Sequence, residues 1–503
     1  MFPTLPSLGM LLALARTSSS GIEMPLRNLI WMLVVPGVVG LGVAIGYSAP
    51  APDQDYQLLR QFVEVMAEVD ANYVRELTPE DREKFVEDSI RGGLRSLDPH
   101  SVYLNDKQLK EFDIDTKGSF GGVGIQLGQD EKSKRLKIFY PLPGTPAYEA
   151  GVVAGDIILK VGDTDTTNMT ADQATKLIKG EIGTKVTLTL DRGGKEIPVT
   201  LTRGMIAVHP VSGVSRRSDD PTKWNWFIDP DNKIALIRIN SFSELTTKEV
   251  EEAMKEIEAA GGRALILDLR DNPGGLLDEA VKLADLFLTE GKIVTTKDRR
   301  GGEKTMSARG AGTIFLPAEL KPIVVLVNRD SASASEIVSA ALQDNHRAVI
   351  VGERTYGKGS VQSVFRLAPA QKSAVKLTTQ TWWRPNGKNM DKAYAEKQKS
   401  DEWGVTPNEG MTVMFSDVEG IRLQFEVRKL DYVAGKPDVV GPNPPPPPTF
   451  PALKGKDGKP LWDETKPFDD RQLDKALDYL KKKLSGVGAA PRLGKLPLVG
   501  VPS

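Results

Sequence analysis

Short, almost wholly aliphatic runs restrict what this chain can fold into: residues 234–239 (IALIRI), 264–269 (ALILDL) and 323–327 (IVVLV). Each is too short for a helix of its own, so each reads as a strand, the second and third as buried ones. Segments with helical spacing separate them, at 246–260, ended by Gly261-Gly262, and at 276–288. Strands alternating with helices point to a largely parallel sheet in an α/β core over about residues 232–427.

Within that core, residues 327–362 hold the densest chemistry. A serine-rich turn, Ser331-Ala332-Ser333-Ala334-Ser335-Glu336, feeds an apolar-periodic helix, and Gly357-Lys358-Gly359-Ser360-Val361-Gln362 opens a strand. A hydroxyl at a helix N-terminus lies beside unpaired backbone N–H groups that can hold an oxyanion. A lysine acts as a base once burial lowers its pKa and leaves it neutral. Nucleophile, oxyanion donor and base are then available without histidine. The serine also fits a plainer role, because Ser333-x-x-Glu336 is a capping-box pattern that needs no chemistry. Lys358, Ser360 and Gln362 share one face if their segment is a strand.

SASASEI and GERTYGKGSVQ resemble the catalytic signature of the carboxyl-terminal processing peptidases, also called tail-specific proteases. The resemblance implies Ser333 as nucleophile, Lys358 as general base and Gln362 as the residue that orients the lysine. It extends to LRDNPGG, residues 269–275, where glycines permit tight backbone geometry and free N–H groups. Alone, that loop is a strand-to-helix turn. The resemblance makes it part of an oxyanion hole, with the N–H of Gly274 or Gly275 beside that of Ala334, and leaves the choice of glycine open. Residues 92–104 (GGLRSLDPHSVYL) resemble the family's N-terminal helical segment. His100 within it reads as structural, far from the serine turn in sequence and without a ligand-like neighbour.

Residues 117–203 change character to short strands and glycine turns, with a short helix at 171–179 and a hairpin around Arg192-Gly193-Gly194. Together with AGDIILKVGD at 154–163, they resemble a PDZ domain. In such domains backbone N–H groups of a glycine-containing loop hold a peptide's terminal carboxylate while the peptide adds to a sheet edge. By that likeness the loop here is Gly122, Val123, Gly124 and Ile125.

The 503 residues, 40% hydrophobic and 26% charged, suffice for about three domains with substantial cores. A net charge of -1 gives no indication of nucleic acid as a partner. The absence of cysteine excludes disulfides, thiolate zinc sites, a cysteine nucleophile and lipoprotein acylation. Residues 28–52 carry no charge, with Arg27 before them and Asp53 after, which suits a membrane anchor with an exported remainder. Ala49-Pro50-Ala51 resembles a signal-peptidase site, but a following Pro52 disfavours cleavage. Met24 fits as the true start. Residues 441–448 (GPNPPPPP) read as a stiff spacer, followed by a basic-ended helix at 469–484 and an unstructured tail.

The expected architecture is multidomain α/β. An N-terminal extension with the anchor (1–52) precedes a helical segment (53–104) and a PDZ-like β-rich domain (105–205). A serine protease core follows (206–430), of the ClpP/crotonase kind by resemblance, and then the proline-rich linker and tail (431–503). The expected function is an exported, membrane-anchored serine endopeptidase of a bacterial envelope. It would bind apolar C-terminal tails of protein or peptide substrates and cleave by a Ser–Lys mechanism with no metal or cofactor; self-association of the chain is compatible with this. One alternative is a catalytically silent PDZ adaptor. Another is a Ser-His-Asp hydrolase on His209 or His346, but no G-x-S-x-G elbow is present and His346 rides the same helix as Ser333, about three turns away. Asp330 departs from the family's usual small residue, and is expected to bridge Arg329 or perturb the lysine.

Overall fold

The computed structural model describes residues 54–130, 133–310, 315, 317, 319–367, 372–440, 460–463 and 466–487. The expected anchor at 28–52 and the proline run at 441–448 lie outside the described residues. Among the described residues, no helix is long and apolar enough to cross a membrane. The chain divides into two units, residues 1–89 and 90–503.

The first unit contains α1 (Gln54–Asn72) and the start of α2 (Pro79–Arg95). Phe62 and Phe85 pack with ring centroids 6.3 Å apart, and Arg82 pairs with Asp70. Tyr56, Leu59 and Val63, on one face of α1, stay exposed.

The second unit runs from β1 (Val102–Leu104) and α3 (Asp106–Lys117) into a β-rich module. There β2 (Ser119–Gly122) precedes β3 (Ile125–Gln129), β4 (Leu136–Pro141), β5 (Ile157–Val161) and α4 (Ala171–Ile178). The hairpin of β6 (Lys185–Arg192) and β7 (Lys195–Thr202) leads to β8 (Gly204–Ala207), which pairs with β2. Gly193 (φ 63°) and Gly194 (φ 88°) supply the two positive φ values that a two-residue hairpin turn of this twist needs. The sheet runs in the order β3-β4-β5-β6-β7, so β3 is an edge strand. Ile138, Leu188 and Leu190 fill its core against Ala174 and Ile178, one turn apart on α4.

Next come β9 (Val211–Ser212), β10 (Phe227–Asp229), β11 (Ile234–Ile239), α5 (Thr246–Ala259), β12 (Ala264–Asp268) and α6 (Leu277–Phe287). They are followed by β13 (Lys292–Asp298), β14 (Glu303–Ser307), β15 (Ile323–Val327), α7 (Ala334–Asp344) and β16 (Ala348–Gly352). The strands β11, β12, β15 and β16 are parallel, as expected, while β9 and β10 flank β11 antiparallel. Side-chain alternation explains the aliphatic runs. Ile237, Leu267 and Val325 face the helices α5 to α7, and Leu236, Ile266 and Val324 face the other way. A second, antiparallel sheet joins β1, β13 and β14 to β17 (Ser360–Arg366) and β18 (Ala374–Trp383). In it Val102 lies opposite Lys376, so residues 102–104, read from sequence as the end of a helical segment, form a strand of the core.

The chain closes with α8 (Lys392–Lys397), α9 (Asp417–Leu430) and α10 (Arg471–Val487). The basic-ended helix expected at 469–484 is α10, and it covers the second face of the parallel sheet with Ala476, Leu480 and Leu484, spaced four apart. A sheet this aliphatic on both faces needs such a cover. Leu480→Ala is expected to lower unfolding stability by about 2–5 kcal/mol, measured by urea denaturation, because the side chain is fully buried there.

Candidate active site

The serine turn follows β15 and is stitched to the loop after β12. Ser331 Oγ donates to the Leu269 carbonyl at 2.8 Å, Ser335 Oγ to the Asn272 carbonyl at 2.9 Å, and Ala332 N–H to that same carbonyl at 3.0 Å. The outer serines of the motif therefore have structural work. Between them Ser333 takes φ 57° and ψ -114°, a region that favours glycine and costs a serine about 1–3 kcal/mol. Its N–H donates to Glu336 Oε2 at 2.8 Å, so the carboxylate half of the expected capping box is formed.

Glu336 also reaches the lysine loop. Its Oε1 accepts from Thr355 Oγ1 and from Gly357 N–H, both at 2.6 Å, and its Oε2 from Lys358 N–H at 2.9 Å. Burial pushes this carboxyl above its ordinary value, against the pull of those hydrogen bonds. The charged segment 388–402 braces the loop from the other side. Gly359 N–H donates to Asp391 Oδ2 at 3.2 Å, Lys392 N–H to the Gly357 carbonyl at 2.9 Å, and Met390 is fully buried. A Cβ on Gly359 would sit 2.6 Å from the Asp391 backbone nitrogen, so only glycine allows this approach.

Ser333, Lys358, Ser360 and Gln362 line one cavity of about 590 Å³, together with Gly274, Gly275 and Lys376. Its walls are otherwise largely apolar, including Phe112, Ile114, Leu276, Ile337 and Trp382. Burial lowers the Lys358 ammonium to about 8, and the charge of Lys376 adds to the effect, while Glu336 and Asp98 oppose it. Burial likewise lowers Lys376. Ser333 and Lys358 share the cavity, and among the described residues no hydrogen bond joins Ser333 Oγ to Lys358 Nζ. Gln362 Nε2 donates to Ser360 Oγ at 2.9 Å and to Thr378 Oγ1 at 3.2 Å.

The structure separates the two candidate glycines. Gly274 N–H is taken by Asn272 Oδ1 at 2.8 Å. The N–H groups of Gly275 and Ala334 find no acceptor among the described residues. A Cβ on Gly274 would lie 2.8 Å from the Ala334 nitrogen, which shows how closely the two loops approach.

Other expectations fare differently. His100 is half-buried, and its ring pKa falls through burial first and the charge of Lys358 second, so distance along the chain had hidden its proximity to the lysine. Arg329 pairs with Glu353 and Asp417 rather than Asp330, and Asp330 is not among the causes that shift Lys358. His209 hydrogen-bonds Glu249 at 2.6 Å, and His346 is exposed beyond the end of α7; neither lines the cavity. In the glycine loop ahead of β3, Gly124 has φ 79°, and the N–H groups of Val123 and Gly124 find no acceptor among the described residues. Asp98, Lys376 and Thr378 were not anticipated. Nothing local in the sequence marks Lys376 or Thr378, whereas Asp98 lies inside the family-like segment.

An α/β core with this site, preceded by a β-rich module with an edge strand, is the architecture of a serine-type peptidase carrying a PDZ domain. Residues 233–409 match the profile of Peptidase family S41, and residues 140–192 match that of the PDZ domain. A carboxy-terminal-processing protease of Bartonella bacilliformis is 36% identical over 341 residues, 67% of this chain and 73% of that protein. A carboxyl-terminal-processing protease of Synechocystis is 38% identical over 309 residues, covering 59% and 69%. A carboxy-terminal processing protease of Bacillus subtilis is 36% identical over 325 residues, covering 64% and 65%. The chain belongs to peptidase family S41, among its PDZ-containing carboxyl-terminal processing proteases.

Glu336→Gln tests the bracing of the site. A glutamine offers one acceptor oxygen where the carboxylate receives four hydrogen bonds on two. Each donor left buried and unpaired costs about 1–3 kcal/mol. Proteolysis assays and thermal unfolding should show loss of turnover together with a lowered Tm.

Proposed function

We propose that Ser333 is the nucleophile, Lys358 the general base and Gln362 the residue that orients the lysine, in an endopeptidase acting near the C-termini of proteins. The observation that carries this reading is a lysine held at about 8 in the same cavity as a serine at a strained helix entry. Neutral Lys358 takes the proton from Ser333 Oγ as the oxygen attacks the scissile carbonyl. The developing oxyanion lies between the N–H groups of Gly275 and Ala334, which have no other partner among the described residues. Lys358 then returns its proton to the departing amine, leaving an acyl-enzyme on Ser333. A water that gives its proton to Lys358 releases the acyl group as a carboxylate. Among the described residues no hydrogen bond joins Ser333 Oγ and Lys358 Nζ, so in this reading substrate binding brings the two into hydrogen-bond range.

The PDZ module delivers the substrate. In this reading the N–H groups around Gly122, Val123, Gly124 and Ile125 receive the terminal carboxylate, and the tail adds along the edge of β3 beside α4. The apolar cavity walls favour apolar side chains next to the scissile bond. The expected domain limits, 1–52, 53–104, 105–205, 206–430 and 431–503, are carried forward as part of the proposal, with the C-terminal stretch including α10 as a cover for the core sheet. So are a membrane anchor at 28–52, a catalytic region outside the cytoplasm of a bacterium, and self-association through exposed apolar residues of α1 such as Leu59 and Val63.

The test is cleavage of an unfolded protein ending in apolar residues. Ser333→Ala and Lys358→Ala should each abolish it, and survival of cleavage in either would sink the assignment. The pH profile offers an independent check, because only the neutral amine is a base. The rate should fall about tenfold per pH unit below a limb near 8 and level off above it. A flat profile between pH 6 and 8 would point to a different base.

A further inference from the structure

Asp98 sits in the turn after α2, far from Gln362 in sequence, yet a short chain of hydrogen bonds joins them. Its Oδ1 accepts from the N–H groups of His100 at 2.7 Å and Ser101 at 2.9 Å, and its Oδ2 from Ser101 Oγ at 2.6 Å. Oδ1 also accepts from Thr378 Oγ1 at 3.1 Å. Thr378 Oγ1 in turn accepts from Gln362 Nε2 at 3.2 Å, and the Thr378 N–H donates to Ser101 Oγ at 3.0 Å. Burial acts against ionisation of Asp98, but the hydrogen bonds from Ser101, His100 and Thr378 outweigh it and hold its carboxyl below the ordinary value.

The proton count along this chain has one solution. An ionised carboxylate only accepts, so the single hydroxyl proton of Thr378 goes to Asp98. Thr378 then has only lone pairs to offer Gln362, which must present its NH₂ group there. The amide is thereby fixed end for end. Its Oε1 accepts no hydrogen bond among the described residues, from Lys358 Nζ or any other donor, and is left as the free acceptor of a side chain that lines the cavity.

We infer that Asp98 is a positioning residue for the proteolytic reaction: through Thr378 it fixes the orientation of the Gln362 amide, so that the carbonyl oxygen, not the NH₂, is offered to the Lys358 amine. The inference rests on the Ser333–Lys358–Gln362 reading above. An acceptor at that place takes an N–H of the neutral lysine and turns its lone pair towards Ser333. A reversed amide presents N–H groups that compete for the same lone pair. The bonds from the His100 and Ser101 N–H groups and from Thr378 all end on Oδ1, so an asparagine with its oxygen there keeps the relay, whereas an alanine at 98 removes that acceptor; Thr378 is then freed to donate to Gln362 and the amide loses its fixed sense.

The experiment measures kcat and KM of the full chain on the unfolded protein substrate, with thermal unfolding alongside, for Asp98→Ala, Thr378→Val, Thr378→Ser, Gln362→Ala and the double variant Asp98→Ala/Thr378→Val. Asp98→Ala and Thr378→Val should each lower kcat by about tenfold to a hundredfold with KM close to the parent, and Thr378→Val, which leaves the turn's N–H bonds to Asp98 in place, should also keep the parental Tm. Thr378→Ser keeps the hydroxyl and should retain turnover. The double variant should be no slower than the slower single, since both act through one relay. Parental kcat in Asp98→Ala or in Thr378→Val, additive losses in the double variant, or a loss in Thr378→Val that tracks a fall in Tm would each overturn the inference. Gln362→Ala tells the two failures apart. Parental turnover there sinks the lysine–glutamine reading itself and the inference with it. Impaired turnover there beside a normal Asp98→Ala sinks the inference alone.

Discussion

The carboxylate of Glu336 sets the geometry on which the rest of the site depends. It receives the N–H of Ser333 on one side and those of Gly357 and Lys358 on the other, with the Thr355 hydroxyl completing the set. Removing a carboxylate from water costs several kcal/mol, and hydrogen bonds to a charged group return about 1.5–3 kcal/mol each. The two nearly offset, so the group adds little net stability. Its effect is positional. Ser333 is kept at a φ that would otherwise relax, and the lysine loop is kept at a set distance from the helix that carries the serine.

A second buried charge group supports the other half of the site. Asp268, at the end of β12, binds Arg270 and Arg238, and Arg270 reaches on to Asp470 just before α10. Both Asp268 and Arg270 are nearly or fully buried, and their mutual attraction holds the carboxyl well below and the guanidinium well above their ordinary values. Arg270 lies four residues before Gly274, so the loop with the free Gly275 N–H is anchored to the helix that covers the far face of the sheet. The helix α10 therefore bears on the site although none of its residues lines the cavity. After α9 the chain also returns to the β-rich module, where the Ala434 carbonyl accepts from Ala154 N–H at 2.7 Å and Lys436 pairs with Glu149.

What the sequence made legible follows from how local each signal is. The parallel strands were readable because unbroken aliphatic character reports burial on both faces, a property of the strand itself. Ser333, Lys358 and Gln362 were reached through short contiguous motifs, and the structure brings all three to one cavity. The choice between Gly274 and Gly275 was not readable, because it turns on where the Asn272 side chain points. Nor was the approach of Asp98 and His100 to the lysine, since it is made by pairing Val102 with Lys376 across 274 positions, a register that no local pattern encodes. The polar stretch 388–402 has the charged composition of a surface segment. Yet its backbone groups and the short side chain of Asp391 hold the lysine loop, and composition says nothing about those.

The lysine itself shows why function has to be invoked. A fall from 10.5 to about 8 corresponds to about 3 kcal/mol of destabilisation when both folded and unfolded chains carry the proton. Between the two values the unfolded chain holds the proton and the folded one does not, so stability rises with pH across that window and the cost is full below it. A merely structural lysine would be relieved by a carboxylate in contact, and among the described residues Lys358 forms no ion pair: Glu336 spends its acceptors on backbone and hydroxyl donors, and Asp98 on its own turn and Thr378. Lys376, a second cation in the same cavity, adds to the strain. Two partly buried lysines left without a contacting anion beside a strained serine cost the fold stability and give it a neutral amine near physiological pH, which is the condition a Ser–Lys peptidase must meet.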